Sequence, residues 1–309
     1  MSFKILFMGT PDFAVPILES LHQSNHNILE VYTQPPKKKN RGQKISFSAI
    51  HKYSKEVNIP VRYPLKLDTQ EELEHIKQIQ PDIVVVVAYG KILPANILNL
   101  KNILFINVHA SLLPKWRGAA PMQRAIMNCD SETGISIMKI LPKLDTGPVL
   151  MKSKIKITKE INYEKLSSQM SKLGSKLILD ALDLIKKGDA KFFSQNEKEA
   201  TYAKKIEKNE SRINWNLEAK NIVAQINALY PSPGSWLELN GSRIKIIKAI
   251  EINEKGKPGE IINANFTIAC SHNAVQILKL KKEGKNEIST VEFLKGNKIE
   301  VGTNINVNV

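Results

Sequence analysis

Ile83-Val84-Val85-Val86-Val87-Ala88 and Ile103-Leu104-Phe105-Ile106-Asn107-Val108 are apolar at every position except the amide of Asn107. Successive side chains of a strand face opposite sides of its sheet, so a strand that is apolar throughout is covered on both faces. The neighbouring sequence supplies the cover. Phe3 to Met8 reads as a first strand, Gly9-Thr10-Pro11-Asp12 as a turn, and Phe13, Ile17, Leu18 and Leu21 as the inner face of a helix. Ile28 to Tyr32 and Pro60 to Tyr63 have strand character. Thr69-Gln70-Glu71-Glu72 has capping-box spacing ahead of Leu73, Ile76 and Ile79. Gly134 to Ile140 adds a strand, and Leu166, Met170, Leu173, Leu177, Ala181 and Leu184 mark a long helix. Strands alternating with helices predict an α/β fold with a doubly wound, mainly parallel sheet.

The periodicity stops at Gly188. The polar stretch that follows predicts a boundary, with a first domain over 1–189, a linker over 190–209 and a second domain over 210–309. In the last part a helix (Ala219, Ile222, Val223, Ile226, Leu229) precedes Pro231-Ser232-Pro233-Gly234. Short alternating runs then follow at Trp236 to Leu239, Arg243 to Ile250, Glu260 to Ile262, Thr267 to Cys270 and Val275 to Leu280. Short strands in such number predict a small β-barrel.

A chain of 309 residues is long for one core, and 42% hydrophobic with 24% charged residues excludes a disordered, collagenous or rod-like protein. The run Ile83 to Ala88 is too short to span a bilayer, and Met1-Ser2-Phe3-Lys4-Ile5 lacks the pattern of a leader, so the expectation is a cytoplasmic protein without a membrane partner. Cys129 and Cys270 have no Cys or His at ligand spacing, which predicts buried thiols and no metal. The formal charge is +15, from 45 basic and 30 acidic residues. Most of the basic residues are lysine, as a lysine-biased composition produces without functional demand. Position says more. Residues 33–66 hold nine basic groups against Glu56 alone, and the densest part is the exposed loop Gln34 to Lys44, with Lys37, Lys38, Lys39, Arg41 and Lys44. Such a patch suits a polyanion.

The chemistry points to Asn107-Val108-His109-Ala110-Ser111-Leu112-Leu113-Pro114-Lys115-Trp116-Arg117-Gly118. Open α/β sheets bind ligands beyond the carboxyl ends of their strands, and residues two apart on a strand point the same way. Asn107 and His109 therefore project together, a donor amide beside a base, as acyl transfer requires. A hydrogen-bonded structural pair is the alternative reading. Leu144-Asp145-Thr146-Gly147 supplies a carboxylate in a turn after the next strand, expected at the same end of the sheet. No dinucleotide fingerprint, P-loop, nucleophile elbow or His-Glu-x-x-His motif is present.

Phe7 to Ala14, Thr33-Gln34-Pro35, Val86 to Gly90, Asn107 to Pro121 and Leu144 to Gly147 together resemble the methionyl-tRNA formyltransferases. Arg212 to Trp215 and Pro233 to Trp236 extend the likeness over nearly the whole chain. Lys143 and Cys129 stand where that family usually has glycine, and the basic loop is richer in lysine than usual. The resemblance implies a formyltransferase-type variant of the Rossmann sheet followed by an OB-like barrel that binds tRNA. It also implies transfer of a formyl group from 10-formyltetrahydrofolate to methionine on initiator tRNA, with Asn107, His109 and Asp145 as catalytic residues and no metal. Ser111, Leu112, Leu113 and Pro114 would border the folate, and Val86, Val87 and Tyr89 would wall the pterin, although sheet core alone accounts for Val86 and Val87. Arg117 would lie near the aminoacyl end. Gly9 and Phe13 would shape either the methionyl pocket or only their turn, and Lys37 to Lys44 would hold the tRNA. The family further implies a monomer without protein partners. A formyltransferase acting on an amino sugar nucleotide or a glycinamide ribonucleotide would keep the same three catalytic residues without needing the basic loop.

Overall fold

A computed structural model describes residues 2–39 and 44–305, so Arg41 lies outside the described residues. In its first half the strands are β1 (Lys4–Gly9), β2 (Asn27–Tyr32), β3 (Lys37–Lys39), β4 (Lys44–Ser46), β5 (Val61–Arg62), β6 (Ile83–Val87), β7 (Leu104–His109), β8 (Arg117–Gly118), β9 (Glu132–Lys139) and β10 (Val149–Lys156). The helices are α1 (Val15–His22), α2 (Ala49–Glu56), α3 (Gln70–Ile79), α4 (Ala95–Leu98), α5 (Pro121–Met127) and α6 (Tyr163–Lys187). The chain forms two compact units. The first holds residues 1–121, 133–155 and 167–203, and the second holds 122–132, 156–166 and 204–309.

The first unit is built on a seven-stranded sheet of order β10-β9-β7-β6-β1-β2-β5. The neighbours β7-β6, β6-β1, β1-β2 and β2-β5 are parallel, and β9 is antiparallel to β7. Both faces are covered, as the all-apolar strands predict. Leu6, Met8, Val84 and Val86 pack with Ile76 of α3 and Ile97 of α4. On the other face α6 comes so close that a Cβ on its Gly174 would lie 3.1 Å from Ile17 of α1 and 3.3 Å from Val108 of β7. Each fully buried Ile or Val contributes about 1.5–3 kcal/mol, so the central strands anchor the unit. The N-terminus of α3 is only half a capping box. Thr69 accepts from the Glu72 amide (3.3 Å), but the Glu72 carboxylate is buried and taken by Arg62 (2.7 Å) and Tyr32 (2.8 Å).

Two expectations about connecting segments need correction. Gln34 to Lys44 is not loop throughout, because β3 and β4 pair antiparallel, with Lys37 opposite Ser46 and Lys39 opposite Lys44. Nor is 190–209 a free linker. Phe193 exchanges backbone hydrogen bonds with Val149 (2.8 and 2.9 Å), and β11 (Tyr202–Ala203) pairs in parallel with β8. Residues 193–203 thus form a strap on the first unit, held by backbone bonds that hydrophobic periodicity does not report.

Where the sequence predicts a small β-barrel, the second unit is built on an antiparallel sheet. Helix α7 (Ala219–Leu229) precedes β12 (Ser235–Leu239), β13 (Ser242–Ile252), β14 (Ile261–Asn263), β15 (Thr267–Ala269), β16 (Ala274–Lys282) and β17 (Glu287–Ser289), and α8 (Thr290–Lys295) follows. The sheet runs β12-β13-β16-β15-β14, with β17 also on β16. Trp215, Ile222 and Ile226 pack on Leu237, Ile244, Ile246, Ile277 and Phe293. Burial pushes the Cys270 thiol up to about 12. Cys129 departs from the expectation of a buried thiol. It is exposed and holds φ +54 in the turn after α5, the left-handed region that glycine adopts most easily. Among the described residues no helix is long and apolar enough to cross a membrane.

Candidate active site

Strand β7 delivers the first two groups. Asn107 sits between Val86 of β6 and Met138 of β9, and His109 lies opposite Ser136. The Asn107 amide is half-buried and makes no hydrogen bond among the described residues, so its donors are uncommitted. His109 is 5% exposed. Its Nε2 lies 3.1 Å from the Trp116 carbonyl and its Nδ1 lies 3.7 Å from Asp145 Oδ1. Both ring nitrogens face acceptors, the carbonyl within hydrogen-bond distance and the carboxylate just beyond it.

Asp145 reaches His109 by an unexpected route. A parallel strand would have left its turn beside His109, but β9 is antiparallel to β7 and ends with Lys139 beside Ile106, on the far side of Asn107. Residues 140–148 therefore double back. The return needs glycine at 147, where a Cβ would lie 1.8 Å from the Lys139 carbonyl oxygen. Asp145 itself takes φ +51, a left-handed conformation that costs a non-glycine residue about 1 kcal/mol or more. The Gly118 amide donates to Asp145 Oδ2 (2.8 Å), and the Gln195 side chain donates to the carbonyls of Asp145 (2.8 Å) and Gly147 (2.7 Å).

The strand ends around this site are tied together. Thr10 Oγ1 and Gln34 Nε2 both donate to the Tyr89 carbonyl, at 2.9 and 3.1 Å, linking the ends of β1, β2 and β6. A Cβ on Gly9 would lie 2.7 Å from Phe7 and 3.1 Å from the Val87 carbonyl, so this end of β1 has no room for a side chain. Phe13 is buried, and its carbonyl accepts from Ser171 Oγ at 2.6 Å.

Several side chains expected to meet ligands are engaged internally instead. Arg117, expected near a substrate, is 0% exposed. It donates to Gln195 Oε1 (3.0 and 2.9 Å) and to both oxygens of Glu197 (3.0 and 2.7 Å), so no part of it faces outward. Those bonds, led by the one to Glu197, hold the guanidinium firmly charged and draw the Glu197 carboxyl below its ordinary range. The side chains of Val86, Val87 and Tyr89 are core, and burial raises the Tyr89 phenol. Ser111 is buried with its hydroxyl on the Lys115 carbonyl (2.6 Å), and Leu113 is buried against Met138 and Val149. Leu112 and Pro114 stay half-buried, and Pro114 lines a cavity of about 370 Å³ with Val149, Met151, Lys152, Phe193 and Gln195. Sequence reasoning missed Gln195 and Glu197, which stand in a polar stretch without periodic signal.

The basic segment follows β2 on the same unit. Lys37 is exposed at the start of the β3–β4 hairpin, and Lys38, Lys39 and Lys44 complete its strands. Phe47 and Tyr63 are exposed on either side of His51, with ring centroids 4.3 and 5.4 Å from it. In the second unit Arg243 lies 3.7 Å and Arg212 5.6 Å from the Trp236 ring.

The carboxyl end of this α/β sheet brings together an amide, a histidine and a facing carboxylate, groups of the kind that acyl transfer uses. Comparison with known proteins narrows the class. Residues 3–182 match the formyl transferase family and residues 205–298 match the formyl transferase C-terminal domain. The chain is 48% identical over 307 residues to the methionyl-tRNA formyltransferase of Pelagibacter ubique, covering 99% of each. The chain belongs to the methionyl-tRNA formyltransferase family. Its fold is shared by an N-formyltransferase from Helicobacter canadensis solved with folinic acid and dTDP-3-aminofucose (TM-score 0.68, 22% identity, 89% of this chain and 99% of that one). It is also shared by HypX from Aquifex aeolicus in complex with tetrahydrofolic acid (TM-score 0.65, 18% identity, 98% of this chain and 51% of that one).

Proposed function

We propose that this protein transfers the formyl group of 10-formyltetrahydrofolate to the α-amino group of methionine on initiator Met-tRNA. The observation that carries the reading is the cluster of Asn107, His109 and Asp145 at the end of β7, in a chain of this family. The amine nitrogen attacks the formyl carbon, and its proton passes to His109. The Asn107 amide, joined by the protonated imidazole, stabilises the oxyanion of the tetrahedral intermediate. Collapse breaks the bond from the formyl carbon to the folate nitrogen, which takes the proton from His109. An α-amino group titrates near ~8, so a weak base is sufficient and no covalent enzyme intermediate is required. Asp145 orients the imidazole and stabilises it while charged. Leu112 and Pro114 keep apolar surface open for the donor.

Lys37, Lys38, Lys39, Arg41 and Lys44 hold the acceptor end of the tRNA by charge, with Phe47 and Tyr63 beside them as rings on which bases can stack. Trp236 with Arg212 and Arg243 is a second surface for nucleic acid. The protein works as a monomer in the cytoplasm. One assay tests the reading: labelled 10-formyltetrahydrofolate is offered with charged initiator tRNA, an amino sugar nucleotide or glycinamide ribonucleotide. Label is expected on the tRNA, and label on either small acceptor instead would overturn it. Neutralising Lys38, Lys39 and Arg41 should flatten the salt dependence of tRNA binding by up to about 0.9 for each phosphate that the segment ceases to neutralise.

A further inference from the structure

The two family matches leave residues 183–204 between them, and this segment supplies the side chain that holds the Asp145 loop. Gln195 uses both ends of its amide. Nε2 donates to the Asp145 carbonyl (2.8 Å) and the Gly147 carbonyl (2.7 Å), while Oε1 accepts from Arg117 Nε (3.0 Å) and Nη2 (2.9 Å). The far side of the guanidinium is held by Glu197 at 2.7 and 3.0 Å. Arg117 is followed by Gly118, whose amide donates to Asp145 Oδ2 (2.8 Å). One clamp therefore sets the backbone of Asp145 and also the position of the donor that orients its carboxylate.

A clamp is required at this point. Asp145 sits at φ +51, away from the regular strand geometry that would hold it, on a loop that leaves β9 beside Ile106 and returns. A non-glycine residue persists in that conformation when its surroundings over-determine it. Backbone pairing gives little to the stretch around Asp145: the Thr146 amide and hydroxyl bond within the loop, to the Lys143 carbonyl (3.4 and 2.9 Å), and β9 meets the loop at Pro148, whose carbonyl accepts from the Lys139 amide (2.9 Å). The amide of Gln195 grips the carbonyls on both sides of residue 146, and buried Arg117 fixes which end of that amide points at them, since a guanidinium only donates.

We infer that Gln195, oriented by Arg117, is a positioning residue for the reaction: it holds the Asp145 carboxylate in register with His109. The inference rests on the reading of Asp145 and His109 as the proton-handling pair.

Gln195→Glu isolates the effect. The substituted side chain still accepts from Arg117 but has no N–H to donate, and it sets a carboxylate against two carbonyl oxygens. In full-length protein, with 10-formyltetrahydrofolate and charged initiator tRNA, kcat is expected to fall about 10–100-fold, while KM for either substrate changes by less than about threefold. The decisive readout is the same substitution in an Asp145→Ala background, where it should cost almost nothing further, because a group that acts through Asp145 has nothing left to position. An equal loss in both backgrounds would make Gln195 a structural tie and overturn the inference, as would unchanged kcat in the single variant. Gln195→Met, which keeps the volume and removes both sets of bonds, repeats the test should the glutamate variant fail to fold. Full activity of Asp145→Ala would instead bring down the reading of the site itself, so the two failures are distinguishable.

Discussion

His109 and Asp145 face each other at 3.7 Å, yet different forces hold them in place. His109 ends a strand whose inward residues, Ile106 and Val108, are 0% and 2% exposed, and hydrophobic burial with ladder pairing to β6 and β9 fixes it. Asp145 belongs to a strained loop whose place depends on polar bonds to Gly118 and Gln195, residues 27 and 50 positions away. Half of the candidate site is thus carried by the core and half by hydrogen bonds. The core half resists local change, because moving it means unpacking the sheet. The loop half has a few bonds, each worth about 0.5–1.5 kcal/mol net, and its geometry can be lost while the fold survives.

The largest expected effects break both halves alike. His109→Ala or Asp145→Ala should lower kcat at least about 100-fold with the fold intact, and Asn107→Ala should cost about 100- to 1,000-fold if the amide stabilises an oxyanion. Steady-state formylation decides this, and unchanged kcat with raised KM would make Asn107 a binding residue. Gly147→Ala attacks the loop alone. Its Cβ would meet the Lys139 carbonyl at 1.8 Å, so the loop must shift, and kcat should drop about tenfold or more while the sheet melts nearly as before.

Ile106→Ala reverses the contrast. Loss of a fully buried side chain should cost about 2–5 kcal/mol in a denaturant melt, with turnover per folded molecule close to that of the parent. A large kcat loss there would show that the strand does not hold His109 independently of its neighbours. Acid gives the gentlest test. The Glu197 carboxyl is held below its ordinary value of 4.5 by Arg117. A carboxyl lowered in the folded state stabilises it fully above the ordinary value, and that contribution is lost as pH falls through the lowered one. Protection of the Ala203 amide, with its exchange corrected for the intrinsic fall with pH, is expected to drop below that range, before the central strands open.

The same contrast explains which features are legible in the sequence. Ile83 to Ala88 and Ile103 to Val108 announce sheet core because burial on two faces leaves its mark at every position. Asn107 and His109 can be paired because their spacing on one strand fixes their direction. Chain order places the Asp145 turn beside His109 for the wrong reason, since it says nothing about a strand that reverses. Arg117 has the look of a surface cation that would meet a substrate, and only burial beside Gln195 and Glu197 shows otherwise. Residues 190–209 read as a linker because the attachment of 193–203 is made by backbone bonds and a few polar side chains, none of which is periodic.

The chain by itself determined the α/β sheet, the β domain that follows it, the amide and imidazole at the end of β7 and the concentration of positive charge before α2. All of these rest on local spacing, which a linear sequence records directly. Only the tertiary structure decided that β9 runs backward, that its loop returns a carboxylate to His109, and that a strap 50 residues further on keeps it there. Those outcomes depend on which distant groups satisfy one another's hydrogen bonds, and partners so far apart leave no pattern until the chain has folded.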